Sequence, residues 1–294
     1  MNWDNYRIPE TVEEALKYLY EGQGSARVMA GGTDLMLMLQ KGQVCSKTIV
    51  DLSRVKELRY IKEDQGKIRI GALATHSDLA GSELLKKKVK ILAIAAGSVG
   101  SPQIRNVGTV GGNIVNAQPA ADTAIALSAL NASALIRGAQ CQEERAVLEI
   151  HQGVGKCCID PQKQILTEFS FDAPGKNEAT TFMRHAKRKA LALPILNLGL
   201  WLRMDDDRKI VEDIRIVVGP MGTTPLRAVQ TEEVIKGSSV EEKTLKKAKA
   251  TIGKEVNPRD SIRGSSSYKK EMAKVFLERA ILEAFSDLGG AING

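Results

Sequence analysis

The chain has 294 residues, 43% hydrophobic, 26% charged and 4% aromatic, with a formal net charge of +7. That length points to two or three domains with mainly aliphatic cores. Lysine and arginine interleave with aspartate and glutamate, no basic stripe carries stacking aromatics, and no apolar run reaches the roughly 18 residues that span a bilayer, which argues against nucleic-acid and membrane roles. The start, MNWDNYRIPE, lacks a basic region followed by an apolar run, so a cytoplasmic protein is expected. Cys45, Cys141, Cys157 and Cys158 lack C-x-x-C spacing, and they read as buried or incidental thiols with no metal to bind.

Thr11 precedes Val12, Ala15, Leu16 and Leu19, so it predicts a capped helix to about Glu21, with Glu14 reaching back in a capping box. Ala26 to Ala30 reads as a strand entering Gly31-Gly32-Thr33-Asp34, and Leu35 to Leu39 as the first turns of a buried helix. A strand, a glycine turn and a helix start make a site where backbone N–H groups favour an anion. Thr48 to Leu52 predicts another strand, giving a small α/β unit with parallel pairing. Ile68, Ile70 and Ala72 alternate with Lys67, Arg69 and Gly71 as in a half-buried strand, and a helical region follows from Ser77, with Lys86 to Lys88 on a solvated face.

Gly97 to Pro102 predicts a helix stop, and Asn106 to Asp122 follows as NVGTVGGNIVNAQPAAD. Its glycines and short polar groups read either as a second anion-facing turn or as a plain turn between elements. Asp122 to Leu130 predicts a helix, and Ser133 to Ile136 and Ile165 to Phe171 predict strands, with a boundary at Pro174-Gly175. Arg184, His185, Lys187, Arg188 and Lys189 form a cationic cluster that either faces an anion or decorates a solvated edge strand. Ile195 to Arg203 and Ile214 to Val218 predict strands joined by a turn at Asp205-Asp206-Asp207. Ser239 to Glu242 predicts a capped helix start, and Tyr268, Met272, Val275, Phe276, Leu282 and Phe285 the core face of a last helix. His76, His151 and His185 read as surface or structural residues.

Val28-Met29-Ala30-Gly31-Gly32-Thr33-Asp34-Leu35, Thr109-Val110-Gly111-Gly112-Asn113-Ile114 and Pro119-Ala120-Ala121-Asp122 resemble the two FAD-binding loops of the flavin subunit of molybdenum hydroxylases, the family of xanthine, carbon monoxide and nicotinate dehydrogenases. The resemblance extends from the early P-x-T-x-E-E-A to Tyr268-Lys269-Lys270. It implies an α+β fold: a two-subdomain FAD-binding module of the vanillyl-alcohol-oxidase/PCMH type (1–55 and 56–175) and a smaller α/β C-terminal domain (176–294). It implies that Val28 to Leu35 wrap the FAD diphosphate and ribitol, and that Thr109, Gly111, Gly112, Asn113, Val115 and Asn116 form a second phosphate-facing turn. Asp122 would hold sugar hydroxyls, Val99, Gly100 and Ile104 would line the adenine or ring region, and Leu166 would touch the cofactor. Arg184 stands where the family often has a lysine near the flavin, and Ala192 where it has an aspartate. Arginine keeps the charge without the compact ammonium.

The resemblance further implies a large molybdenum-cofactor subunit and a small 2Fe-2S subunit as partners, and electron transfer through FAD to NAD⁺ or another acceptor. The cysteine-rich insertion of the hydroxybenzoyl-CoA reductase branch is absent. No side-chain catalyst is nominated, because the flavin does the redox chemistry. A self-contained FAD oxidoreductase and a non-enzymatic nucleotide-binding module are the alternatives. On this reading Gly111→Val expels FAD and spares the fold, while Arg184→Glu slows flavin reduction.

Overall fold

The computed structural model describes residues 3–188 and 191–290, so Lys189 of the cationic cluster lies outside the described residues. The chain begins with β1 (Asn5–Arg7), α1 (Val12–Glu21), β2 (Ala26–Met29), α2 (Leu35–Gln40) and β3 (Thr48–Asp51). The strands form a fully parallel sheet ordered β1-β3-β2, with Tyr6 opposite Ile49 and Val28 opposite Val50. Val12, Ala15, Leu16 and Leu19 recur at helical spacing on α1 and close over Ala26 and Val50. Thr11 caps α1 by accepting from the Glu14 N–H at 3.1 Å. Its expected reciprocal bond is not made, because the Glu14 carboxylate accepts from the Glu10 N–H and the Tyr18 hydroxyl. The apolar run on α2 also departs from expectation: Leu39 is buried, whereas Leu37 is 52% exposed. Leu35 and Met38 instead line a cavity.

Next come β4 (Ile61–Asp64), β5 (Lys67–Gly71), α3 (His76–Gly81), α4 (Glu83–Lys88), α5 (Lys90–Gly97), α6 (Pro102–Val107), α7 (Val110–Val115) and α8 (Asp122–Ala129). They are followed by β6 (Ser133–Gly138), β7 (Gln142–Ala146), α9 (Val147–Ile150), β8 (His151–Gly153), β9 (Lys156–Cys157) and β10 (Gln164–Asp172). The five-stranded antiparallel sheet runs β4-β5-β10-β6-β7, and β8 pairs with β9 in a separate hairpin. Ile68 and Ile70 of β5 and Phe169 of β10 meet α3, α5, α7 and α8 in an almost entirely aliphatic core. The stretch expected as a glycine loop is largely helical: Thr109 caps α7, and Gly111 and Gly112 occupy its first turn.

The third part holds β11 (Glu178–His185), β12 (Leu196–Met204), β13 (Val211–Gly219), β14 (Leu226–Arg227), α10 (Val229–Ile235), α11 (Glu242–Glu255) and α12 (Ser266–Asp287). Its antiparallel sheet is ordered β11-β12-β13-β14. On β12, Leu196, Leu198, Leu200, Leu202 and Met204 share one face by the period of two and join the core under α10 to α12. On the opposite face, a Cβ at Gly199 would lie 3.1 Å from the Ala129 Cβ of α8. The expected Asp205 to Asp207 turn is present, with the Asp205 carboxylate accepting from the Lys209 and Ile210 N–H groups.

One expectation fails in this part and another holds only in part. Helix α11 starts from Glu241 without a side-chain cap, because the chain around Ser238 is tied to Val211 instead. The buried face of α12 is Ala273, Phe276, Leu277, Ala280, Ile281 and Ala284, while Tyr268 is 42% exposed. Of the residues expected on that face, Phe276 is buried and Met272, Leu282 and Phe285 are partly buried against it, while the alanines, which let the helix lie close to the sheet, were not singled out.

Candidate functional site

The C-terminal end of β2, the helices α2 and α7 and the β8–β9 hairpin enclose a cavity of about 590 Å³. Val28, Met29, Ala30, Gly31, Gly32, Thr33, Asp34 and Leu35 all line it, as do Val99, Ile104, Thr109, Gly111, Gly112, Asn113, Val115, Asn116 and Leu166. Sequence motifs separated by about eighty residues therefore share one wall. Gly100, Asp122 and Arg184 do not line it.

The two glycine motifs contribute differently. From Gly31 to Leu35, five successive backbone N–H groups have no hydrogen-bond partner among the described residues. Gly32 sits at φ +67°, so the turn alternates handedness and gathers its donors into an anion-binding concavity. Asp34 precedes α2 without capping it; its exposed carboxylate accepts from the Thr33 hydroxyl at 3.4 Å through Oδ2, which leaves Oδ1 available to a ligand hydroxyl.

In the second motif the donors are already engaged. The Val110 N–H bonds the Ala74 carbonyl, Gly111 the Ala72 carbonyl, Gly112 the Thr109 hydroxyl and Asn113 the Thr109 carbonyl. The Asn113 side chain accepts from the Thr123 hydroxyl at 2.7 Å, tying α7 to α8. Glycine is required here by close packing. A Cβ on Gly111 would meet the Ala72 Cβ and carbonyl oxygen at 2.8 Å, and one on Gly31 would meet the Val107 oxygen at 2.1 Å. The motifs thus touch back to back, while a Cβ on Gly112, also in the cavity wall, would meet only the Thr109 hydroxyl, at 3.0 Å.

Three predicted residues sit elsewhere. Gly100, at φ +48°, turns the chain into α6 beneath the Ile104 side chain. The Asp122 carboxylate is turned to the protein: Arg184 Nε lies 3.2 Å from both its oxygens and Asn197 Nδ2 donates at 2.9 Å. Burial pushes the Asp122 carboxyl above its ordinary range, with Arg184 and Asn197 pulling the other way. Arg184 also donates to the Ala192 carbonyl, so the cation expected near a flavin is held in an ion pair outside the cavity.

Sequence reasoning missed Arg27, His76, Gln152, Gly155, Lys156 and Cys157, which also line the cavity. No Arg27 ion pair occurs among the described residues, and burial lowers its pKa. Its place in the strand entering the first motif was the available signal. The hairpin residues gave none, since only tertiary folding brings β8 and β9 over the cavity. Burial pushes the Cys157 thiol up, opposing thiolate chemistry.

A row of free N–H donors, an exposed carboxylate and apolar walls from Leu35, Leu52, Leu73, Val115 and Leu166 suit a ligand with an anionic centre and flat apolar ends. FAD has that character, and the residues present fit it.

Residues 2–171 match the family model described as the FAD binding domain in molybdopterin dehydrogenase, and residues 181–284 the CO dehydrogenase flavoprotein C-terminal domain. The chain is 30% identical to the glyceraldehyde dehydrogenase medium chain of Sulfolobus acidocaldarius, covering 95% of this chain and 97% of that relative. It is 29% identical to the nicotinate dehydrogenase FAD-subunit of Eubacterium barkeri, covering 97% of each. A chain of reconstituted CO dehydrogenase from Oligotropha carboxidovorans superposes with a TM-score of 0.90 at 26% identity, covering 97% of this chain and 98% of that one. With both family models matched in order and a cavity built to suit the cofactor, the chain belongs to the FAD-binding medium subunits of the molybdenum hydroxylase family.

Proposed function

We propose that this chain carries electrons as one subunit of a cytoplasmic complex, between a small 2Fe-2S subunit and NAD⁺ or another acceptor, with substrate oxidised on a large molybdenum-cofactor subunit. The observation that carries the reading is the run of unpaired N–H groups from Gly31 to Leu35 in the cavity wall. It is a binding device, in which backbone donors converge on a cavity with apolar walls. Bound FAD supplies reversible two-electron redox chemistry. The protein's part is to hold the diphosphate on Gly31 to Leu35, hydroxyls on Asp34, and flat apolar surface against Leu166 and Val115.

Among the described residues, no three side chains of His, Cys, Asp or Glu converge as metal ligands. No described helix is long and apolar enough to cross a membrane. The test is to purify the chain alone and with its neighbouring gene products. The isolated chain is expected to be yellow, to release FAD on denaturation, and to oxidise no substrate until the partners are present. A colourless chain that rejects added FAD, or an isolated chain with full NAD(P)-dependent turnover, would overturn the proposal.

A further inference from the structure

We propose that His76 donates a hydrogen bond from its Nε2 to the diphosphate of bound FAD. The inference rests on the FAD-binding reading and adds a residue that neither glycine motif contains. His76 is 2% exposed, yet its ring forms part of the cavity wall. The other two histidines have ring partners: His151 Nε2 lies 2.9 Å from the Ile114 carbonyl, and His185 Nε2 lies 2.8 Å from the Tyr268 hydroxyl. His76 has none among the described residues, and its Nδ1 is shut away from solvent. A buried imidazole held only for packing ordinarily places its N–H on an acceptor. Here the acceptor is to come from the cavity.

Placement identifies which part of the ligand supplies it. A Cβ on Gly108 would lie 3.3 Å from His76 Cδ2 and 3.8 Å from Nε2, so the edge bearing Nε2 borders Gly108. A Cβ on Gly31 would in turn lie 3.1 Å from the Gly108 Cα. Gly108 is therefore the spacer between the imidazole edge and the first of the unpaired N–H groups. The backbone that carries the ring is held in advance: the His76 backbone N–H donates to the Gly108 carbonyl, and Thr75 and Asp78 form a reciprocal capping box at the start of α3. Burial, with Arg105 nearby, pushes the His76 pKa down to about 4, so the ring is neutral near pH 7 and carries one proton. With no acceptor at Nδ1, that proton is placed on Nε2.

The test measures the affinity of deflavinated protein for FAD and for ADP, which shares the diphosphate and lacks the flavin. His76→Phe keeps the ring and removes the donor; it is expected to weaken both ligands by the same factor, roughly ten- to a hundredfold. His76→Gln restores an N–H near the Nε2 position and is expected to remain within about threefold of wild type. His76→Asn places its amide near Nδ1 and should fail as the phenylalanine variant does, which keeps the test decisive if that variant does not fold. Melting of the deflavinated proteins checks that the fold is intact. Equal FAD affinity across the set, or loss of FAD affinity with ADP unchanged, overturns the assignment. Wild-type protein that binds no FAD would instead overturn the proposed function.

Discussion

Gly111 and Gly112 are adjacent and look alike in sequence, but they meet different surroundings. Gly111 is sealed against the Ala72 backbone, whereas Gly112 faces only the Thr109 hydroxyl beside the cavity. The expectation that Gly111→Val expels FAD and spares the fold is therefore corrected. Forcing a valine against the Ala72 carbonyl should cost about 1–3 kcal/mol of stability, read as a lower denaturant midpoint. Gly112→Val is the variant expected to reduce FAD affinity at least tenfold while costing less stability than Gly111→Val, because a Cβ there presses on the Thr109 hydroxyl and not on backbone. Equal stability losses in the two variants would contradict this division. The motif residues were legible because glycine is costly unless something approaches closely. Whether ligand or protein approaches was not legible, since both produce the same letters.

Among the elements, α2 and α8 show where pattern reading succeeds and where it fails. Leu35 to Leu39 reads as a buried helix, but a helix beside a cavity presents apolar side chains to the space that a ligand fills. Helix α8 was placed correctly, and all eight of its residues are buried because β12 and β13 cover one side of it while α5, α7 and α9 pack around the rest. Its first residue, Asp122, joins Arg184 of β11 and Asn197 of β12, making a polar clamp between helix and sheet.

Removing one partner of such a pair is expected to destabilise by about 3–5 kcal/mol, so Arg184→Met should unfold at much lower denaturant concentration. Its pH dependence has a defined sign. Burial already raises the Asp122 pKa, and the variant loses the opposing pull of Arg184. Between the ordinary aspartate value and the raised one, the folded state binds more protons than the unfolded state, so stability falls as pH rises through that window. Arg184→Met should accordingly regain part of its deficit on acidification through the window, measured against wild type by urea midpoints. A deficit independent of pH would show that Asp122 does not carry the effect. Slower flavin reduction in Arg184→Glu would then report disturbed packing as much as chemistry at the flavin.

For the whole molecule, the family-like division near Pro174-Gly175 hides extensive burial across it. Phe182 and Val217 of the third sheet belong to the same core as Phe169 and Ile125. We propose that residues 1–175 do not form a stable unit alone, because cutting there exposes the face of α8 that packs on β12 and β13. Expression of 1–175 should yield aggregated protein or a non-cooperative melt; a soluble fragment with a sharp transition would show independent domains. The sequence by itself determined much of the element order, the parallel opening unit, the two glycine motifs and, through them, the family and its cofactor. These follow from local spacing and from residue types that few conformations tolerate. Only the tertiary structure decided that Gly31 to Leu35 supply the open donors while the donors of Val110 to Asn113 are spent. It likewise turned Asp122 and Arg184 inward and brought His76 and the β8–β9 hairpin to the cavity. A hydrogen-bond donor has one acceptor at a time, and which acceptor it meets depends on segments far away in the chain.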